Sequence, residues 1–410
     1  MASSKTFSLE GKGLKLDSET DINPHIELLK SNNEVEEVHF LGNTLGIGAC
    51  EALAEVLKQK KELKVANFAD IYTGRLLSEI PFALDALLKA LLTLPKLHTV
   101  NLSDNAFGLN TVAPLVSFLE AHTPLEHLIL NNNGMGPHAG VLLADALTEL
   151  AKKKKEAGAP SLRTVICGRN RLENGSMAAW AKAYAAHDNV THIKMVQNGI
   201  RQEGVTLLLK DGLKHTKGIQ VLDLQDNTFT AMASRALADV IHEWQELREL
   251  GVGDCLLGAR GGVMLGEALA AGKNKTLEVL RLQFNDIDAK GVKALADAQD
   301  ALPKLRRVEL NGNKFSEEDI SIEKLKEALD ARREADGPPM EDGEHDDWGM
   351  DELDELDEES DEEDGEAAEE DDEDEKELER VDQAEEENVA QDESKEVDQL
   401  AELLGQTEIK

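Results

Sequence analysis

Asn132 and Asn133 stand side by side in the stretch Leu125-Glu-His-Leu-Ile-Leu-Asn-Asn-Asn-Gly-Met-Gly136. A primary amide donates and accepts at once, so it can hold two partners in a fixed geometry or satisfy stranded backbone groups. The place Asn132 occupies recurs along the chain at Gly42, Asp104, Asn132, Arg169, Gln197, Asp226, Asp254, Phe284 and Gly312. From Asp104 to Asp254 this row is polar and of mixed sign, which suits contact with another macromolecule. Asp104 and Asp254 read as a solvated edge. Asn132 is different, because Asn133 already supplies an amide to the scaffold and a second one beside it has no evident structural need. The histidines are scattered, and no nucleophile–base pair, metal-spaced cluster or phosphate-cradling glycine loop occurs, so an active site of the chain's own is the weakest reading.

The elements that must position this row follow from the same stretch. Leu125, Leu128, Leu130, Asn133 and Met135 fit L-x-x-L-x-L-x-x-N-x-L, the leucine-rich repeat signature: a short strand, a tight turn and then a helix or 3₁₀ segment. The N position recurs at Asn43, Ile71, Asn105, Asn133, Asn170, Asn198, Asn227, Cys255, Asn285 and Asn313. Most steps are 28 to 30 residues, long enough for strand plus full helix. Ala49, Leu53, Val56 and Leu57 share one helical face in the first full repeat. The expected fold is an α/β leucine-rich repeat solenoid, a horseshoe of about eleven strand–helix repeats with an inner parallel sheet and outer helices. The ladder asparagines are scaffold.

Two steps are longer. Between Ile71 and Asn105 the chain inserts Ala69-Asp-Ile-Tyr-Thr-Gly-Arg-Leu-Leu-Ser-Glu-Ile-Pro81 after the strand, placing Thr73, Gly74 and Arg75 on the same edge as Asn132. Between Asn133 and Asn170 the extra residues follow the helix, where Lys152 to Lys155 suit a helix C-terminus. Residues 7–16 read as one degenerate strand in an N-terminal cap of about residues 1–33. The repeat domain spans 1–334 and closes with a helix over 323–333.

Charge divides the chain in two. Residues 341–410 hold 36 acidic and 4 basic residues, a net of −32 out of −38, leaving a near-neutral body. The tail, 335–410, has the composition of a disordered, solvated segment, with a weak helix expected over 389–404. Neither part offers the concentrated basic surface that nucleic acid needs. Cys50, Cys167 and Cys255 are too few for a disulfide framework and read as buried thiols. No leader-like or membrane-spanning run of apolar residues occurs, so a soluble, cytoplasmic protein is expected.

Three stretches carry a resemblance: residues 68–81, Asn131-Asn-Asn-Gly-Met-Gly-Pro137 and Cys167-Gly-Arg-Asn-Arg-Leu-Glu-Asn-Gly-Ser-Met177. Together they resemble the signature loops of the GTPase-activating proteins of the small GTPase Ran, and the resemblance covers the whole chain. By the resemblance the chain is expected to be of the fungal form, without the extra folded C-terminal domain of animal members. The resemblance implies acceleration of GTP hydrolysis in Ran's own nucleotide site, so no cofactor is expected in this chain; GTP and Mg²⁺ belong to the partner. It implies that Asn132 orients Ran's catalytic glutamine without an arginine finger. Arg75 matches the family's functional arginine in a supporting role, shaping the interface and holding the Asn132 side in place. Arg169, Arg171 and Asp226 match positions facing the GTPase, with Thr73, Gly74 and Gln197 beside them. Leu77 stands where other members carry a basic residue.

The implied partner is Ran-GTP, with a Ran-binding protein as third member of a ternary complex; the chain itself is expected to be a monomer that acts in the cytoplasm or near the nuclear envelope in support of nucleocytoplasmic transport. Membrane and nucleic acid are not expected partners. The alternative is a non-catalytic acidic leucine-rich repeat binder. Histone chaperones and phosphatase inhibitors of that kind use shorter repeats, and inhibitors of the ribonuclease-inhibitor type are rich in cysteine.

Overall fold

Each repeat commits two or three residues to a strand and ten or more to the return, and that asymmetry sets the architecture. The computed structural model describes residues 5–336 and 348–357; the helix expected over 389–404 lies outside them. Among the described residues twelve strands run parallel in one sheet, in sequence order from Thr6–Ser8 and Glu37–His39 through His127–Ile129 and Thr164–Ile166 to Arg307–Glu309 and Gly349–Met350. The fourth position of each motif lies directly opposite its neighbours, with Val38 facing Ala66, Val100 facing Leu128 and Leu280 facing Val308. All six are buried, as are the flanking leucines of the signature.

Helices line the other face, among them Ile47–Leu57, Ile80–Leu91, Gly136–Ala157, Gly258–Ala270 and Ala289–Ala298. Helices pack about 8–10 Å apart, whereas strands lie about 4.8 Å apart. The outer layer is therefore wider than the inner one, and the stack bends into a horseshoe with the sheet inside. One continuous apolar core runs between the layers from Leu9 to Leu329.

The asparagine ladder closes the strand-to-loop edge of that core. Asn170 Oδ1 accepts from the backbone N–H of Asn133 at 3.0 Å, and its Nδ2 donates to the carbonyl of Leu130 at 2.9 Å. Asn133 repeats the pattern on the preceding unit, accepting from Asn105 N at 2.9 Å and donating to Leu102 O at 3.1 Å. Each amide thus satisfies groups in two repeats, in a place water does not reach. At the two departures the chain improvises. Ile71 is fully buried in the core and its N–H still donates to Asn105 Oδ1 at 3.0 Å, while the Cys255 N–H donates to Asn285 Oδ1 at 2.9 Å.

A second set of donors closes the opposite edge, where helix returns to strand. Lys60 Nζ donates to the carbonyls of Lys30 and Asn32, Lys154 Nζ to those of Thr123, Leu125 and Pro160, and Asn274 Nδ2 to those of Ile241 and Trp244. His122 and His187 place Nε2 against the carbonyls of Leu97 and Leu147 at 2.7 and 2.8 Å. Lys154 was expected simply to face a helix dipole. Instead its ammonium is buried, and burial pushes its pKa down to about 8.

Both ends differ from the sequence expectation. Residues 7–16 form two short strands, not one: Thr6–Ser8 joins the main sheet and Lys15–Leu16 pairs with Thr44–Leu45. At the other end the closing helix covers Ile320–Asp336, and the body does not stop at 334: its compact unit runs to Asp357. Gly349–Met350 adds to the edge strand, and the Asp351 carboxylate accepts from Leu310 N and Asn311 N at 2.8 and 2.9 Å. Met350, Leu353 and Leu356 pack against the core. A terminal strand has unpaired N–H groups, and this acidic segment supplies their acceptors. Among the described residues all three cysteines are free and buried, and no helix is long and apolar enough to cross a membrane.

Candidate functional site

The residue before each ladder position sits on the rim where strand turns into loop, and a line of backbone hydrogen bonds runs through these residues. Asp104 N donates to Asn131 O, Asn132 N to Gly168 O, Arg169 N to Val196 O and Gln197 N to Gln225 O, at 2.8 to 2.9 Å. The sheet's spacing is thereby carried out to the rim, so adjacent rim residues are held one strand apart.

Every member of this row has a left-handed backbone: Asp70, Asp104, Asn132, Arg169, Gln197, Asp226, Asp254 and Phe284 have φ between 45° and 61°, and Gly42 and Gly312 have φ of 75° and 70°. Glycine takes this conformation freely, and Asn and Asp more readily than other residues. That corrects the expectation that Asn132 has no structural need to be asparagine; its backbone gives one. The residues without such a reason are Arg169 and Gln197, joined by Phe284. Left-handed geometry costs an ordinary side chain about 1–2 kcal/mol, and such cost concentrates at functional positions.

Asn132 is exposed, and its Nδ2 donates to Asp104 Oδ1 at 2.9 Å. Arg169, Arg171 and Gln197 are exposed on the following repeats. Asp226 is half-buried, and its carboxyl is pushed up from the usual range by that burial and by the like charge of Asp254, with Arg169 and Gln197 pulling it back down. These four therefore form one electrostatic neighbourhood next to Asn132 on the rim.

The insertion loop behaves differently from its neighbours. Tyr72 is buried beneath it, and Arg75 N donates to Tyr72 O at 3.0 Å to close a turn whose Gly74 has φ 77°. Thr73 is exposed and its hydroxyl donates to Asp70 Oδ1. Arg75 points inward. Its Nε donates to Thr44 Oγ1 at 2.9 Å, and its Nη groups donate to the carbonyls of Thr44 and Leu16 and to the Asp17 carboxylate. The Arg75 side chain is 8% exposed, so the loop turns its guanidinium toward the N-terminal cap and its leucines outward, Leu76 being 65% and Leu77 61% exposed. All partners of Arg75 precede it in the stack, and Asn132 is not among them.

Three positioning residues escaped the sequence reading. Asn131 Oδ1 accepts from Gly168 N at 2.7 Å, and its own N–H donates to Ser103 Oγ at 3.1 Å, bracing the corner that carries Asn132 and Arg169. Gly168 leaves room for that side chain: a Cβ there would stand 2.9 Å from Val196 O and 3.2 Å from Asn131 Oδ1. Asp17 anchors Arg75 from 58 residues away. The paired Asn131-Asn132 and the glycine closing the next strand were the available signals; nothing in the sequence marked Asp17.

A family model described as a leucine-rich repeat matches residues 273–296. The chain is 40% identical over 335 residues to Ran GTPase-activating protein 1 of Saccharomyces cerevisiae, covering 80% of this chain and 82% of that protein. It is 34% identical over 316 residues to the Ran GTPase-activating protein of Drosophila melanogaster, covering 76% and 53%. With Ran GTPase-activating protein 1 of Xenopus laevis it shares 41% identity over 198 residues, covering 47% and 34%.

Proposed function

The chain belongs to the Ran GTPase-activating protein family, and from that premise we propose that it speeds GTP hydrolysis in Ran's nucleotide site by supplying Asn132 as an orienting amide. Phosphoryl transfer of this kind is limited by placing the attacking water and by charge on the transferring group. An amide held on a rigid rim can fix a partner glutamine that otherwise samples many rotamers. The observation that carries this reading is Asn132 itself: exposed, set in a left-handed backbone and hydrogen-bonded to Asp104. Arg75 supports it from the scaffold, since its guanidinium is occupied by Thr44, Leu16 and Asp17. Thr73, Gly74, Arg169, Arg171, Gln197 and Asp226 flank Asn132 as the contact surface. Ran brings GTP and Mg²⁺, and a Ran-binding protein joins as third member. The monomer works in the cytoplasm, keeping Ran in its GDP form for nuclear transport.

The test is single-turnover hydrolysis of Ran-bound GTP at saturating activator. Asn132→Ala should bind Ran within a few fold of wild type while lowering the stimulated rate about 10²–10³-fold, the usual cost of one preorganised group. Full activity in that variant removes Asn132 from the mechanism. An arginine-based reading would fall on Arg169, exposed one strand from Asn132. It predicts the larger loss for Arg169→Ala, with Arg169→Lys unable to replace the planar fork.

A further inference from the structure

The hydrogen bond from Asn132 Nδ2 to Asp104 Oδ1 spans two neighbouring repeats, at 2.9 Å and 28 residues of separation. Both residues are exposed, and both have a left-handed backbone, φ 53° and 61°. Their main chains are fixed as well, by Asp104 N to Asn131 O and Asn132 N to Gly168 O, each 2.9 Å. The spacing of the two main-chain positions is therefore set by the sheet, which holds the side chains within reach of each other.

The two ends of an amide are nearly equal in size and opposite in hydrogen-bonding role, and the terminal torsion of asparagine is soft. An exposed amide with no neighbour would present either end. An ionised carboxylate only accepts, so at this distance it admits the nitrogen and repels the oxygen. We propose that Asp104 is a positioning residue for GTPase activation, fixing the polarity of the Asn132 amide so that its carbonyl oxygen is presented to the partner. This rests on the reading of Asn132 given above. An outward oxygen calls for a donor, so the partner's carboxamide would meet Asn132 through its own NH₂ group. Its carbonyl oxygen is then left to accept from the attacking water.

The fold alone does not ask for an acid here. Gly42 and Gly312 fill the same backbone role, and Asn would tolerate it too. A carboxylate also adds negative charge beside a site where a phosphoryl group reacts, which opposes both binding and the transition state. Keeping aspartate in that place is explained if the direction of the Asn132 amide is what it secures.

The experiment compares Asp104→Gly and Asp104→Asn, alone and combined with Asn132→Ala, in single-turnover hydrolysis of Ran-bound GTP across a range of activator concentrations. Asp104→Gly keeps the left-handed backbone and removes the acceptor. It should lower the saturating rate about tenfold, the loss expected for one charge-assisted hydrogen bond to a positioned group. The half-saturating concentration should stay within about twofold, since a positioning defect acts on rate and not on docking. Asp104→Asn, which accepts but does not exclude the flipped amide, should fall between. In the Asn132→Ala background Asp104→Gly should cost nothing further, because there is no amide left to orient. The Asn132 side-chain NH₂ resonances should also shift and exchange faster with water in Asp104→Gly. The proposal is overturned if Asp104→Gly keeps the wild-type rate, if its loss is equally large without Asn132, or if only half-saturation moves. Should wild type itself fail to stimulate Ran, the family-based reading fails instead. Should Asn132→Ala be impaired and Asp104→Gly not, this inference alone is lost.

Discussion

The guanidinium of Arg75 donates to the carboxylate of Asp17, tying the inserted loop of the second repeat to the N-terminal cap across 58 residues of sequence. Gly46 makes the passage: a Cβ there would lie 3.1 Å from Arg75 Nη1 and 2.7 Å from Asp17 O. An arginine in a signature loop of a GTPase activator invites assignment as a finger, yet this one makes its bonds inside the scaffold. The loop is consequently held as a rigid extension of the cap, with Leu76 and Leu77 as its outward surface.

Arg75→Ala should accordingly act on stability first. It removes the guanidinium's bonds to Thr44, to the Leu16 carbonyl (which keeps Gly46 N as a donor) and to Asp17, and the expected loss is about 1–3 kcal/mol, read as a lower urea midpoint with an unchanged slope. Arg75→Lys should recover little, because one ammonium cannot reproduce the fork. Asp17→Asn should cost less, since the Asp17 side chain is 55% exposed. A large loss of stimulated rate in Arg75→Ala with an unchanged midpoint would return Arg75 to the active site.

The ladder makes a separate prediction. Asn170→Ala removes an acceptor for Asn133 N and a donor to the carbonyls of Leu130 and Gly168, all buried. Leu130 O keeps Asn133 Nδ2 and Gly168 O keeps Asn132 N, so stability should fall by about 3 kcal/mol from the stranded Asn133 N–H and the cavity together. Asn170→Asp should be no better: it keeps the acceptor, loses the donor and buries a charge. Chemical denaturation of both variants checks this, and a loss below about 1 kcal/mol would mean that water reaches the ladder.

The repeats were legible because they are spelled in one alphabet. Apolar residues at fixed spacing and an asparagine at a fixed place, as in Leu128, Leu130 and Asn133, are what a strand, a core and a stranded backbone require each time. The second edge was invisible for the opposite reason. Lys60, His122, Lys154, His187 and Asn274 all donate to a preceding repeat's carbonyl, but they share a function and no letter. Side-chain direction was equally hidden: the sequence placed Arg75 in the loop but could not say whether it faced solvent or Asp17. The left-handed backbone at Asn132 was readable in principle from Gly42, Asp104, Asp226 and Gly312 at the same place in other repeats. The outer limit of the body is hidden in the sequence because Asp351 and its neighbours look like tail by charge, whereas Met350, Leu353 and Leu356 pack against the core.

Two buried histidines set an acid limit on the body. Burial pushes His122 and His187 down to about 4 from 6.5, with the backbone carbonyls of Leu97 and Leu147 opposing the shift and nearby Lys154 adding to it. Both are neutral in the folded protein at pH 7, whereas the unfolded chain takes up protons from pH 6.5 downward. Protonation of the unfolded state alone lowers stability as pH falls through the window from 6.5 to about 4; below it both states are charged and no further loss accrues. Each histidine should account for about 2–3 kcal/mol across that window. Urea midpoints from pH 7.5 to 4 should show a decline that flattens in His122→Gln/His187→Gln, after allowance for that variant's lower stability at pH 7.5.

Truncation separates the acidic residues that hold the fold from those that do not. Asp351 stands in for the next strand by accepting from Leu310 N and Asn311 N, Asn311 Nδ2 donates to Asp354 Oδ1 at 2.9 Å, and Asp357 N donates to Asn313 O at 3.0 Å. A chain ending at Asp357 should keep the urea midpoint of the full protein and its single-turnover rate at physiological salt, where charge steering over long range is screened. Ending the chain at Asp336 instead uncovers the edge strand and the apolar surface under Met350, Leu353 and Leu356. That should cost about 2–4 kcal/mol in the last repeats and raise amide exchange in Arg307–Glu309 before it touches the rim around Asn132. Asp351→Ala in the full chain should reproduce about 1–2 kcal/mol of that loss by leaving two amides unpaired. Equal stability of the two truncations would show that residues 348–357 merely lie on the edge without closing it.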